Sequence, residues 1–229
     1  MTLIFLPGSG CSSIVWEQQL SFFGNSLALN LPGHPDGRAL NTVSDMAQWL
    51  VSYIEERKLT DLILVGHFLG SAVAMQTALL GKVDIKALVL IGAGARLKVM
   101  PQLLVALSEL VENKGDIPDY LLSANHKIPE PLRAKINSSM KVNGAGVMLK
   151  DFSACNKFDV MEHLAEMNIP VQIIVGDKDQ MTPLKYASFL KYNLPNAELA
   201  VIKDGTHMVF AEQADIVNLQ IQYFLTNIK

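Results

Sequence analysis

The chain predicts an α/β protein built on a mainly parallel sheet with helices on both faces, and three observations carry that prediction. Short continuous runs rich in Ile, Leu and Val recur along the 229 residues and end at Gly, Pro or polar residues. Amphipathic stretches with helical spacing alternate with these runs, the pattern of a buried parallel sheet whose crossovers are helices. Half the residues are hydrophobic and mean hydropathy is +0.25. That is enough apolar material for one large core in a chain of this length.

The elements follow in order. Thr2–Leu6 reads as the first strand. Met1 to Gly10 carries no basic n-region and meets Pro7 too early for a signal peptide, so it reads as a strand that begins at once. Leu27–Leu31 is the second strand. Val43, Met46, Ala47, Leu50, Val51 and Ile54 then repeat at helical spacing, with Thr42 and Asp45 as a capping box at the start. Asp61–Val65 is the third strand, followed after a short turn by an apolar helical stretch from Ser71 to Leu80. Ala87–Ile91, Val171–Val175 and Glu198–Ile202 complete a sheet of about six strands. The last helix places Val209, Phe210, Ile216, Val217, Ile221, Phe224 and Leu225 on one stripe.

One segment breaks the alternation. From about Arg96 to Asp159 there are helical stretches rich in Leu, Met and Ala, punctuated by Pro101, Pro118, Pro129 and Pro131, with Gly144-Ala145-Gly146 as a hinge. The chain thus divides into a core of residues 1–95 and 160–229 and a helical insertion, 96–159. Such an insertion is placed to cover a site and exclude water; ordinary packing helices are the other reading.

Charge and composition remove several function classes. A net charge of −3 and an isoelectric point near 5.9 favour neither nucleic acid nor an anionic membrane. No apolar run reaches the roughly 18 residues that span a bilayer. Cys11 and Cys155 form neither a C-x-x-C nor a zinc-spaced set, so reduced thiols in a cytoplasmic protein are the default. No His, Asp and Glu spacing suggests a metal, and no cofactor is expected. Gly8-Ser9-Gly10 lacks the third glycine of a dinucleotide fingerprint and the Gly-Lys-Ser/Thr of a P-loop.

The chemistry gathers in three places. Gly66-His67-Phe68-Leu69-Gly70 joins a strand to a helix, the context in which G-x-S-x-G carries an activated serine. Its central residue here is Phe68, which has neither hydroxyl nor thiol. Gly176-Asp177-Lys178-Asp179 follows the fifth strand and Gly205-Thr206-His207-Met208 the sixth. A base for a serine hydroxyl must accept and return a proton near neutrality, which selects imidazole. That imidazole needs a carboxylate on its other nitrogen to hold the tautomer. Loops after successive parallel strands meet at the C-terminal edge of the sheet.

The ordered elbow, acid and histidine motifs resemble the α/β-hydrolase family over essentially the whole chain, and its small, lid-bearing esterase-like members most of all. The resemblance implies Phe68 at the nucleophile position, Asp179 as the acid and His207 as general base. Asp179 is preferred to Asp177 because the family acid sits later in its loop. It also implies backbone N–H donors for an oxyanion from Ser9 and Leu69, with Pro7 standing where the family has His. Asn30-Leu31-Pro32-Gly33-His34 resembles the family's Asp-x-x-Gly-His turn, making His34 a structural loop residue. His67 is expected beneath the elbow, and His126 and His163 on the surface or cap. Family chains commonly begin with an antiparallel hairpin before the oxyanion-loop strand, so a reduced sheet is expected here.

Phe68 leaves three readings open. A serine hydrolase framework has lost its nucleophile by a recent or engineered change; or the chain is a natural pseudoenzyme that binds a small ligand in the old pocket; or His207 and Asp179 act as an acid–base dyad without a covalent intermediate. The elbow residue is expected at positive φ, with its ring filling the cavity beside His207 and no atom left to attack. Ser71, one turn on, is expected to face packing or backbone, and Ser9 and Cys11 to lie close but misaligned. An apolar pocket under a Met- and Leu-rich cap suits a small hydrophobic ester-like molecule, carboxylester first, with amide, thioester and lactone open. The sequence leaves the oligomeric state open.

Overall fold

A computed structural model describes residues 1–228. Its centre is a six-stranded sheet formed by β1 (Thr2–Leu6), β2 (Ser26–Ala28), β3 (Leu62–His67), β4 (Ile85–Ile91), β5 (Val171–Gly176) and β6 (Ala197–Ile202), in the order β2-β1-β3-β4-β5-β6. Every neighbouring pair is parallel. All residues of β3 and β5 are buried, which is why their sequences are mostly apolar without alternation, Gln172 and His67 being the buried polar exceptions.

Helices α1 (Glu17–Phe22), α2 (Val43–Glu56), α3 (Leu69–Leu80), α6 (Leu184–Asn193), α7 (Val209–Glu212) and α8 (Ala214–Asn227) cover the sheet, α2 packing on α3 and α1 on α8. Phe5 of β1, Trp16 and Phe210 of α7 stack in series, with ring centroids 5.1 and 4.1 Å apart. Buried Gln19 donates to the Phe210 carbonyl at 2.9 Å and to Asn218 Oδ1 at 3.0 Å. This packing fixes α7, and with it the preceding His207 loop, against the first strand.

The sequence boundaries hold for five strands to within two residues, and three details differ. The second strand ends at Ala28, not Leu31. Leu29 N–H still reaches the Phe5 carbonyl, but Asn30 Oδ1 takes the Ser13 N–H at 2.6 Å and Pro32 has no N–H to extend a ladder. The expected last helix is two, broken at Gln213 (φ −131°, ψ 53°), whose side chain donates to the Lys203 carbonyl. The break resets the helical phase, so Val217, Ile221 and Phe224 face inward while Ile216 is 47% exposed. Finally, only half the capping box forms: Thr42 Oγ1 accepts the Asp45 N–H at 3.0 Å, without a return bond among the described residues. Thr42→Ala is expected to cost about 1 kcal/mol, a fall of about 2–4 °C in the thermal midpoint, measurable by calorimetry.

Within 96–159 lie α4 (Pro101–Glu112), a 3₁₀ turn at Asp119–Asn125 and α5 (Leu132–Lys157), which packs on α4. The two ends of the segment meet. Val160 N–H donates to the Ala95 carbonyl at 2.8 Å, and Arg96 bridges Asp159 in antiparallel pairing. Helix α5 is interrupted at Gly144 (φ 80°, ψ 168°), within the glycine pair noted as a hinge.

Candidate active site

The turn between β3 and α3 is sharp. Phe68 sits at φ 47°, ψ −105°, its N–H bound to the Ile91 carbonyl at 3.0 Å. A side-chain-bearing residue held there stores about 1–3 kcal/mol of strain. Ser71 braces the turn from below, its hydroxyl donating to the Gly66 carbonyl at 2.6 Å and within 3.2 Å of the Ile91 carbonyl. That hydroxyl faces backbone, as expected, and is not offered to the cavity.

Asp179 and His207 meet from the loops after β5 and β6. The loops lie side by side because Lys178 N–H donates to the Gly205 carbonyl at 2.9 Å and Asp177 N–H to the Ile202 carbonyl at 3.0 Å. Thr206 is tied back to Glu212 of α7 through both its N–H and its hydroxyl. His207 Nδ1 donates to Asp179 Oδ2 at 2.9 Å, and Thr182 donates to the same carboxylate from its N–H (2.9 Å) and hydroxyl (2.8 Å). Burial alone would push the Asp179 carboxyl up. The His207 hydrogen bond and charge, with the Thr182 donors, outweigh it and hold the group below its ordinary range. Behind this pair, buried His67 donates from Nε2 to the His207 carbonyl at 3.1 Å. Burial first, then the neighbouring His207, hold His67 well below the usual histidine value, so its ring is neutral.

The Phe68 ring stands edge-on to His207, centroids 5.2 Å apart at 78°, and 5.9 Å from Phe152 of α5. Beneath it, a pocket lined by Ser9, Cys11, Met140, Met148 and Met208 retains about 60 Å³. Outside it, a cavity of about 760 Å³ lies between residues of the 96–159 segment (Val99, Leu103, Ala124, Phe152) and Met181 and His207. The expectation that the ring fills the site therefore needs correction. Phe68 and Phe152, in ring contact, border the inner pocket, while the outer cavity between the 96–159 segment and the Met181–His207 side stays open.

Ser9 lies in a turn closed by Cys11 N–H on the Gly8 carbonyl at 3.1 Å, with Gly10 at φ 70°. Among the described residues neither the Ser9 N–H nor the Leu69 N–H, first of its helix, has an acceptor. Cys11 and Cys155 are both buried and free. Burial, with the Asp151 carboxylate nearby, pushes the Cys11 thiol up to about 12. Burial likewise raises Cys155, against the lowering effect of its contact with Ser9. Neither thiol is expected to react with a disulfide reagent at about pH 8 in the folded chain, and both are expected to react after denaturation. Thiol counting with and without denaturant checks this.

Several supports were not read from the sequence. Thr182 had a signal, since Thr three residues after an Asp forms a side-chain turn. Glu212, Asn143, Asp151 and Phe152 gave none by themselves. His34 is buried and bonded to Asp151 at 2.8 Å, whereas His126 and His163 are exposed.

The sheet, the sharp strand–helix turn and the His–Asp pair at the strand ends accompany a match to the Alpha/beta hydrolase family over residues 3–219, and the chain belongs to that family. Among its relatives is a putative esterase/lipase 2 of Mycoplasma genitalium, 25% identical over 194 residues that cover 80% of this chain and 72% of the relative. A putative carbamate hydrolase RutD of Escherichia coli O127:H6 is 22% identical, covering 90% and 84%. Among solved structures, a thermophilic esterase superposes with a TM-score of 0.84 at 30% identity, over 99% of this chain and 90% of that one. A lipase-esterase related protein of Clostridium acetobutylicum gives a TM-score of 0.84 at 24% identity over 97% and 93%, a likeness of fold. No helix among the described residues is long and apolar enough to cross a membrane.

Proposed function

We propose that this chain is an esterase-like α/β-hydrolase whose nucleophile position is Phe68, so that hydrolysis through an acyl-enzyme is absent or severely impaired in the chain as it stands. The observation that carries this is the pairing of a strained elbow residue, φ 47°, with a His207–Asp179 couple whose imidazole faces it at 5.2 Å. In this reading His207 is the general base, Asp179 orients it, and the Ser9 and Leu69 N–H groups await an oxyanion. The 96–159 insertion is the lid, and the substrate is a small hydrophobic ester-like molecule. Ester chemistry is supported by the 30% identity to an esterase; the RutD relatives make a carbamate the next class to assay. Two free, buried cysteines fit a reducing cytoplasm. The test is Phe68→Ser, assayed beside the unmodified chain on short-chain aryl esters.

The open outer cavity of about 760 Å³ favours a second reading, a protein that binds such molecules without turning them over. A small ester or its acid that raises the melting temperature of the unmodified chain, with no product formed, distinguishes it.

A further inference from the structure

The Gly8–Cys11 turn is held from the insertion. Gly10 N–H donates to Asp151 Oδ2 at 2.7 Å, and the Gly10 carbonyl accepts from Asn143 Nδ2 at 2.9 Å. Asn143 and Asp151 lie on opposite sides of the Gly144 break in α5, so each arm of the helix grips one side of the same residue. Ser9 Oγ lies 3.5 Å from Cys155 Sγ, a third contact with α5. Pro7 offers no side-chain donor to the turn, so its support has to come from elsewhere.

Asp151 has no solvent exposure, and its Oδ2 also meets His34 Nε2 at 2.8 Å, both side chains being fully buried. His34 Nδ1 lies 3.0 Å from the Leu31 carbonyl. Both ring nitrogens face acceptors, so the ring carries two protons and stands as an imidazolium against the carboxylate. Burial works against that charge, but the Asp151 hydrogen bond and field lift His34 above its ordinary value. The Gly10 N–H thus shares one carboxylate oxygen with the His34 ring, and charge-assisted hydrogen bonds of this kind are stronger than neutral ones.

We propose that Asp151 is a positioning residue for the Gly8–Cys11 turn: with His34 as its buried counter-charge and Asn143 on the opposite side of Gly10, it makes the aim of the Ser9 N–H depend on how the 96–159 insertion is seated. The catalytic part of this rests on the reading of Ser9 as an oxyanion donor. The latch itself does not.

Two measurements test it. In the unmodified chain, amide NMR is expected to show the Gly10 N–H far downfield and slow to exchange. Asp151→Asn, which keeps shape and removes charge, should move the Gly10 and Ser9 resonances and speed Gly10 exchange at least about tenfold. Asn143→Ala serves as second variant should Asp151→Asn not fold, and is expected to shift the same two amides. Unmoved Gly10 and Ser9 amides overturn the latch. In the Phe68→Ser background, Asp151→Asn is expected to lower kcat about 10- to 100-fold with KM within about threefold, because a misaimed donor weakens the transition state alone. An unchanged kcat despite a released Gly10 amide overturns the link to catalysis. If Phe68→Ser is itself inactive, the esterase reading fails, and the amide measurement still decides whether Asp151 holds the turn.

Discussion

Phe68→Ser is expected to raise turnover of short-chain aryl esters by at least about 10³-fold over the unmodified chain, because loss of a serine nucleophile elsewhere costs up to about 10⁶ in kcat. On the proposed assignment of His207, Asp179, Ser9 and Leu69, the parts the introduced hydroxyl needs surround it. His207 Nδ1 is committed to Asp179 at 2.9 Å, which leaves Nε2 as the proton acceptor. Attack on the ester carbonyl would place the oxyanion toward the Ser9 and Leu69 N–H groups, which have no other acceptor among the described residues. His207 then returns the proton to the departing alcohol, and water, activated by the same nitrogen, releases the acid.

Replacing the ring also changes the space. Phe68 is 6% exposed, and truncating a buried phenylalanine commonly costs about 3–5 kcal/mol. Here the ring borders open cavities on both sides, so part of that packing was never present, and the positive φ suits a small residue better. The variant is therefore expected to fold, with a lower melting temperature. In the Phe68→Ser background His207→Ala should abolish the new activity, and Asp179→Asn should reduce it by about 10⁴-fold through the wrong tautomer. A folded Phe68→Ser chain that stays inactive across short and medium acyl chains would sink the decayed-hydrolase reading. Native ester hydrolysis that survives His207→Ala would remove the dyad from any role.

What could be read from the chain divides by the range of the interaction. β3 and β5 were legible because strands buried on both faces are nearly continuous apolar runs, a local signal. The end of β2 was not, since it depends on Asn30 meeting Ser13, and the break at Gln213 depends on the Lys203 carbonyl. The same division runs through the site. That Asp179 and His207 meet was legible because each follows a strand, so topology alone brings them to one edge. Asp151 and Asn143 act across more than 130 residues, on a helix of weak periodicity, and only the folded chain brings them to Gly10. The open outer cavity was missed for a related reason, as its wall joins residues of 96–159 to Met181 and His207, which only the folded chain brings together.

Gly70→Ala in the elbow is expected to cost about 4 kcal/mol or more and leave little folded protein. A Cβ at Gly70 would stand 2.1 Å from the Leu6 carbonyl oxygen, 2.6 Å from its carbon and 2.8 Å from the Pro7 oxygen. All three are backbone atoms at the end of β1. Leu6 is in register with Gly66, so backing away would unpair β1 from β3 at the centre of the sheet. The contrast is Gly81, at the other end of α3, where φ is 61° but nothing lies within 4 Å of an added Cβ. Gly81→Ala is expected to cost only about 1 kcal/mol, from backbone strain alone. Urea unfolding of the two variants separates steric overlap from backbone strain, and comparable losses would mean that α3 does not press on β1 as described. The overlap matters for function because α3 begins at Leu69, one residue before this contact, and Pro7 leads directly into the Ser9 turn. The absent side chain at Gly70 lets the helix start against the end of β1, beside the Pro7 that leads into the Ser9 turn. A substitution that spared the sheet but eased α3 away from β1 would therefore be expected to cost the Phe68→Ser enzyme kcat before it cost stability.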